Sequence, residues 1–235
     1  FSEAELLVLN SILEDLKKEI PIQDLLGKTN VDGMDFEVNE NVLIPRPETE
    51  ELVEWILEDC GKIDTTSEFS ILDIGTGSGC IPISLKKQLP QAKVSAIDVS
   101  EKALEVAKGN AKLNGVEMHF ILQNILETTD LLESYDVIVS NPPYVRNLEK
   151  QEIKKNVLDY EPHLALFVED TDALLFYRKI AQLALKNLSP NGLLFFEINQ
   201  YLGKETVELL ENLGFKNIEL KKDIYGNDRM IKCSI

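Results

Sequence analysis

Two hydrophobic periods divide the chain. Between Ser2 and Leu26, Leu6, Leu9, Leu13 and Leu16 recur at spacings of three and four, the stripe of an amphipathic helix. Ser2 with Glu5 three residues on reads as a capping pair, and Pro21 ends the first helix. So short a helical piece buries no core of its own, so it packs on something else or belongs to a larger N-terminal unit. Residues 31–45 read as a small hairpin. Phe36 and Val38 alternate with polar neighbours, Asn39-Glu40-Asn41 turns, and Val42-Leu43-Ile44 returns. Pro45-Arg46-Pro47-Glu48 follows, then a helix from Thr49 to Cys60 with Leu52, Val53, Ile56 and Leu57 on one face, then a polar loop over 61–68.

From residue 69 short apolar runs alternate with helical stretches. Strands are expected at Phe69–Ile74, Ala92–Ile97, Met118–Leu122, Tyr135–Ser140, Leu193–Ile198, Phe215–Lys221 and Arg229–Ile235. Helices are expected at Cys80–Gln88, Ser100–Asn114, Thr171–Leu188 and Gly203–Leu213. Such alternation predicts a doubly wound α/β fold with a mostly parallel sheet, and the two final strands without an intervening helix predict an antiparallel edge hairpin. There is no internal repeat.

Composition narrows the function. The 235 residues are long for one compact domain and short for two. The longest apolar runs, such as Gly192–Phe196, are far too short to span a bilayer, so no membrane partner is expected. The first residues carry acid and no apolar stretch, so no signal peptide is expected; without an initiator Met, Phe1 is not expected to be the biological start. Lys plus Arg number 24 against 41 Asp plus Glu, a net charge of −17. Such a surface repels phosphate backbones, which argues against stable nucleic-acid binding. Three scattered cysteines (Cys60, Cys80, Cys233) give neither a disulfide framework nor a zinc site, and only two histidines (His119, His163) argue against a metal centre. A reducing cytoplasm fits.

Candidate chemistry sits where strands end. Asp73-Ile74-Gly75-Thr76-Gly77-Ser78-Gly79 lies where the first strand of the alternation meets its helix. The glycines permit a tight turn and close approach of a ligand. They fall as G-x-G-x-G, not as the G-x-G-x-x-G of dinucleotide folds, and no Gly-Lys-Ser/Thr of a phosphate loop follows. Asp98 ends the next strand, about twenty residues beyond the last glycine, where a carboxylate accepts from a ribose diol; its alternative role is a turn residue before the next helix. A D-x-G-x-G-x-G run with a second-strand acid resembles the class I S-adenosylmethionine-dependent methyltransferases. The resemblance covers roughly 69–235 and implies a Rossmann-like seven-stranded sheet with an antiparallel last strand.

The fourth strand of the alternation closes on Asn141-Pro142-Pro143-Tyr144. Two prolines stiffen the loop and fix the Pro142 carbonyl; the Asn141 side chain supplies a second acceptor beside it. Together they can grip both hydrogens of one planar –NH₂ group, and Tyr144 can pack over it. A conjugated nitrogen that cannot be usefully deprotonated needs such orientation toward a methyl donor. The tetrad resembles that of methyltransferases acting on exocyclic amines of adenine or on glutamine amides. Val42-Leu43-Ile44-Pro45-Arg46-Pro47-Glu48-Thr49-Glu50, Tyr160–Leu166 and Tyr225-Gly226-Asn227-Asp228-Arg229 are similar to segments of the release factor glutamine methyltransferases (the PrmC or HemK family). Relatives acting on a ribosomal protein differ after Ile-Pro-Arg.

The resemblance covers about 22–235 and implies the following assignments. Residues 1–30 are a remnant of an N-terminal helical substrate-docking domain, 31–48 a β-hairpin linker and 49–235 the catalytic domain. Asp73, Gly75, Thr76, Gly77, Ser78 and Gly79 hold the cofactor's methionine end, Asp98 its ribose, and Asn124 and Ile125 its adenine, with Asn141 also at the cofactor. Many relatives carry Asp where Asn124 stands. Asn141 and Pro142 are catalytic, and with Pro143 and Tyr144 they bind the substrate glutamine of the Gly-Gly-Gln loop in class I peptide-chain release factors. The methyl donor is S-adenosyl-L-methionine, the product S-adenosyl-L-homocysteine, and the enzyme a monomer. Arg46 and Glu48 either shape the pocket or tie two domains together. Two other readings are an adenine methyltransferase of DNA or RNA, which would require a basic groove, and a non-catalytic cofactor-binding adaptor, which would not require Asn141.

Overall fold

A computed structural model describes residues 26–61, 69–131, 133–149 and 162–235, with isolated positions before 26. The helix expected over 1–26 therefore lies almost wholly outside the described residues, as do Tyr160 and Glu161. The described elements, in order, begin with a hairpin, β1 (Lys28–Val31) and β2 (Met34–Glu37), and the helix α1 (Pro47–Cys60). The alternating part follows: β3 (Ser70–Ile74), α2 (Cys80–Gln88), β4 (Lys93–Asp98), α3 (Glu101–Leu113), β5 (His119–Leu122) and β6 (Tyr135–Ser140). After the two-residue β7 (Val145–Arg146), the short α4 (His163–Leu166) and β8 (Phe167–Val168) come α5 (Leu175–Asn187), β9 (Leu188–Glu197), α6 (Gly203–Leu213), β10 (Lys216–Lys222) and β11 (Asp228–Ser234).

Seven strands form one sheet in the order β10-β11-β9-β6-β3-β4-β5. The five strands from β9 to β5 run parallel, and β11 is antiparallel to both β9 and β10. Period-two burial builds two cores. Ile71, Val137, Val139, Phe195 and Met230 face α1 and α2; Leu72, Ile74, Ile138, Leu194, Phe196 and Ile231 face α5 and α6. Strands buried on both faces are near-continuous apolar runs, which is why they were legible.

The hairpin differs from expectation. Its turn is Asp32-Gly33, both at positive φ (48° and 75°), the conformation a two-residue turn of this twist requires. Val42 and Ile44 are buried, yet 38–46 is not a strand. Alternation there reports burial beneath α3, not pairing. Asn110 of α3 pins the hairpin: its Oδ1 accepts from Glu37 N (2.7 Å) and its Nδ2 donates to Glu37 O and Ser78 O (2.9 Å each). The long helix expected at Thr171–Leu188 starts at Leu175. Asp170 and Asp172 use their carboxylates elsewhere, on Leu148 N and the Arg178 guanidinium, and a 3₁₀ turn over Asp170–Asp172 stands in its place. Leu188 already belongs to β9, whose register shifts between Tyr135↔Leu188 and Val137↔Leu193 to absorb the Ser189–Gly192 stretch.

Candidate active site

At the carboxyl ends of β3, β4 and β6, where ligands bind in open α/β sheets, the chain encloses a cavity of about 270 Å³. Its floor is the glycine loop. The loop leaves β3 at Gly75 (φ 79°) and crosses the end of β4, where Ile97 O accepts from both Gly75 N (2.8 Å) and Thr76 N (3.0 Å). Gly77 N donates to Asp98 Oδ2 (2.9 Å) and Gly79 N to Thr76 O (2.8 Å). Four backbone N–H groups that a phosphate-cradling loop would aim at its ligand are thus consumed within the protein. A Cβ at Gly75 or Gly77 would meet nothing within 4 Å, so these two glycines face open space. Gly79 serves packing instead: at φ 81° its Cβ would stand 2.9 Å from Ile83 Cδ1 and 3.1 Å from Ala107 Cβ, so α2 and α3 close on it.

Asp98 braces the loop with one oxygen and accepts Ser100 N with the other (2.9 Å), while Ser100 caps α3 through Ala103 N. Each carboxylate oxygen keeps a lone pair for a further donor. Asp73 lies beneath the loop, fully buried, with neither carboxylate oxygen hydrogen-bonded among the described residues. Burial pushes its carboxyl up to about 7, opposed by the neighbouring Thr76 hydroxyl and reinforced to a smaller extent by the charge of Asp98. Asn124 and Ile125 form a wall, and Asn124 Oδ1 accepts Leu126 N (3.1 Å), leaving its Nδ2 without a hydrogen bond among the described residues.

Opposite stands the tetrad. Ser140 Oγ donates to Ile74 O (2.6 Å), locking the end of β6 to the end of β3 beside the glycine loop. Asn141, Pro142 and Pro143 line the cavity, and neither the Asn141 side chain nor the Pro142 carbonyl is hydrogen-bonded among the described residues. Two acceptors therefore border the cavity without partners. Of the residues singled out from sequence, Gly75, Thr76, Gly77, Ser78, Asp98, Asn124, Ile125, Asn141, Pro142 and Pro143 line it together; Asp73, Gly79 and Tyr144 do not. Tyr144 turns its hydroxyl away, to Glu197 Oε1 (3.1 Å), and packs in the α5–α6 core. A buried carboxylate behind the loop thus holds the phenol expected to pack over a substrate.

The lining has members that sequence reasoning left out or undecided. Arg46 and Thr49 come from the segment before the sheet, Pro162 and Ala165 from α4 and its approach, Phe176 from α5. Pro162 and Ala165 lie within a segment already singled out. Phe176 gave no signal, since on an amphipathic helix it reads as core. Among the described residues no helix is long and apolar enough to cross a membrane, and no cluster of three or more His, Cys, Asp or Glu could hold a metal.

The reversed strand β11, next to the sheet edge, and a glycine loop with its N–H groups turned inward define a class I S-adenosylmethionine-dependent methyltransferase. A family model for the methyltransferase small domain matches residues 57–163. The release factor glutamine methyltransferase of Flavobacterium psychrophilum is 67% identical over 230 residues, 98% of this chain and 81% of that protein. The protein of the same name in Bacteroides thetaiotaomicron is 46% identical over 227 residues, 96% of this chain and 80% of that one. In fold, the chain is similar to a T. thermophilus 16S rRNA N2 G1207 methyltransferase solved with AdoMet and guanosine (TM-score 0.62, 18% identity, 88% of this chain and 49% of that chain). The chain belongs to the release factor glutamine methyltransferase family.

Proposed function

We propose that the protein transfers the methyl group of S-adenosyl-L-methionine to the side-chain amide nitrogen of the glutamine in the Gly-Gly-Gln motif of class I peptide-chain release factors. The observation that carries this reading is the pair of acceptors, Asn141 Oδ1 and the Pro142 carbonyl, without partners among the described residues, at the wall of a cavity whose floor is the glycine loop.

The residues present fit the methyl donor. It has no pyrophosphate, and the loop offers none of the four inward-turned N–H groups to one. Asp98 would accept from its ribose, Asn124 and Ile125 would flank its adenine, and Gly75, Thr76, Gly77 and Ser78 would border its amino-acid end. Asp73 and Gly79 support that end from beneath, the first by its buried carboxyl and the second by the packing of α2 on α3. Bound there, S-adenosylmethionine supplies an electrophilic sulfonium methyl.

The chain's own part is positional. An amide nitrogen has its lone pair delocalised into the carbonyl and its protons are far too weakly acidic for a side chain to remove. Asn141 Oδ1 and Pro142 O would each accept one of the two amide hydrogens, which fixes the plane of the group and draws electron density onto nitrogen. Pro143 holds the direction of the Pro142 carbonyl. The surplus proton leaves after transfer, so no general base is required. Residues 31–48 act as linker between an N-terminal docking unit (1–30) and the catalytic part (49–235). The enzyme acts as a cytoplasmic monomer without stable nucleic-acid binding.

Mass spectrometry of a class I release factor incubated with the protein and S-adenosylmethionine tests the reading. One methyl on the glutamine of Gly-Gly-Gln is the expected result; cofactor binding without that methyl would exclude it.

A further inference from the structure

The methyl-transfer reading leaves one expensive feature unused. Glu197 is the last residue of β9 and is 1% exposed. It sits beside the end of β6, opposite Met230 of β11, with the Arg229 guanidinium close enough to favour its charge. Burial raises its carboxyl above the ordinary range. Removing a carboxylate from water costs several kcal/mol unless donors compensate, and replacement of such groups by apolar residues is often neutral or stabilising. Stability alone does not account for it.

Its two oxygens have different partners. Oε1 accepts the hydroxyl of Tyr144 (3.1 Å), and Oε2 accepts the hydroxyl of Thr49 (2.8 Å), which is itself 3% exposed. Thr49 lies in the first turn of α1 and lines the cavity. The far side of Tyr144 is held as well: Asn199 Nδ2 donates to the Tyr144 carbonyl (2.9 Å) and to Glu149 Oε2 (2.8 Å). Only Pro143 separates Tyr144 from the Pro142 carbonyl, and Pro142 in turn follows Asn141; both proline rings fix φ and leave the segment little freedom. A displacement of Tyr144 is therefore passed on toward the Pro142 carbonyl and Asn141.

We propose that Glu197 is a positioning residue for methyl transfer: by holding the Tyr144 hydroxyl it sets the Asn141–Pro142 acceptors, and through Thr49 it joins their placement to the segment preceding the sheet. This rests on the functional reading above. Tyr144 is accordingly an anchor of the tetrad and not a clamp on the substrate.

The test is a cycle of variants of the full chain, assayed with S-adenosylmethionine and a class I release factor. Tyr144→Phe and Glu197→Leu each lower kcat about tenfold or more, and the double variant falls no further than the worse single, as for residues acting as a unit. Cofactor affinity by calorimetry stays within about twofold. Glu197→Gln keeps an oxygen that can accept from Tyr144 and returns kcat to within about threefold of the parent, a rescue that a merely structural role does not require. Undiminished kcat in the single variants, losses that multiply in the double, or a glutamine variant no better than leucine would each overturn the proposal. Should Glu197→Leu fail to fold, Tyr144→Phe combined with Thr49→Val carries the same cycle. Failure of the functional reading looks different: the parent protein itself then leaves the release factor unmethylated.

Discussion

Asp73, buried beneath the glycine loop, and Asn141, on the cavity wall, make opposite demands. Asp73 is a carboxyl with no hydrogen-bond partner among the described residues, pushed up to about 7 chiefly by burial. The unfolded chain releases that proton near the ordinary value of 3.8, the folded chain near 7. Between those values the native state binds more protons, so its stability falls as pH rises, and the penalty is complete above 7. Asp73→Asn should therefore raise the melting temperature at pH 8 by at least about 2–4 °C, the shift expected per kcal/mol in a chain of this size, and change it little at pH 4. Calorimetric scans at the two pH values check this. Asn141→Ala acts on the transition state: turnover should fall by about two orders of magnitude or more while the cofactor dissociation constant barely moves. Asp98→Ala should do the reverse, weakening the cofactor by about 1.5–3 kcal/mol for hydrogen bonds to a charged group. Titration calorimetry beside steady-state kinetics separates the two.

At the level of elements, Gly79 carries the sharpest expectation. Alanine there would combine a left-handed backbone with contacts of 2.9 and 3.1 Å to Ile83 and Ala107, forcing α2 away from α3. A loss of about 2 kcal/mol or more in denaturant stability is expected, from strain and overpacking together. The elements that were legible share one property: their apolar residues meet a core on a single period. Cys80–Gln88, Tyr135–Ser140 and Gly203–Leu213 fall within their expected bounds for that reason. Where burial and pairing part company the reading slipped. Val42 and Ile44 are buried from an unpaired segment, and the hairpin signal lay in Asp32-Gly33, one turn earlier. In the candidate site, loop and tetrad were legible because each occupies consecutive residues. The side of Tyr144 was not, because it is decided by Glu197, 53 residues away in sequence. Asn110 was equally hidden, since an Asn within a helical stretch gives no sign that it will bridge a hairpin to a glycine loop.

Over the whole molecule the dominant quantity is charge. A net of −17 on 235 residues repels itself in the compact state. Salt screens that repulsion, so the melting temperature should rise between about 0.02 and 0.3 M sodium chloride, where the Debye length shortens severalfold. A flat or falling curve would mean that local ion pairs, such as Lys232 with Asp59 and Glu219, outweigh the general field. The single Trp offers a readout. Trp55 on α1 meets Phe195 of β9 edge to face at 5.6 Å and has Lys221 and Lys232 of the edge hairpin within 5.2 Å of its ring, so its fluorescence reports on helix and sheet at once.

The three cysteines, all free, become useful once their burial is known. Cys60 ends α1, Cys80 begins α2 at the cavity, and Cys233 lies on β11; all are at most 8% exposed, and burial pushes each thiol up to about 12. Almost none is thiolate at pH 8, and a labelling reagent must wait for the structure to open around each sulfur. The protein thus carries three built-in clocks, one in each third of the chain, that tick only when their own region breathes. Peptide-resolved labelling should find Cys80 slowed by added S-adenosylmethionine far more than Cys60 or Cys233. Equal slowing of all three would mean that the molecule opens as one piece.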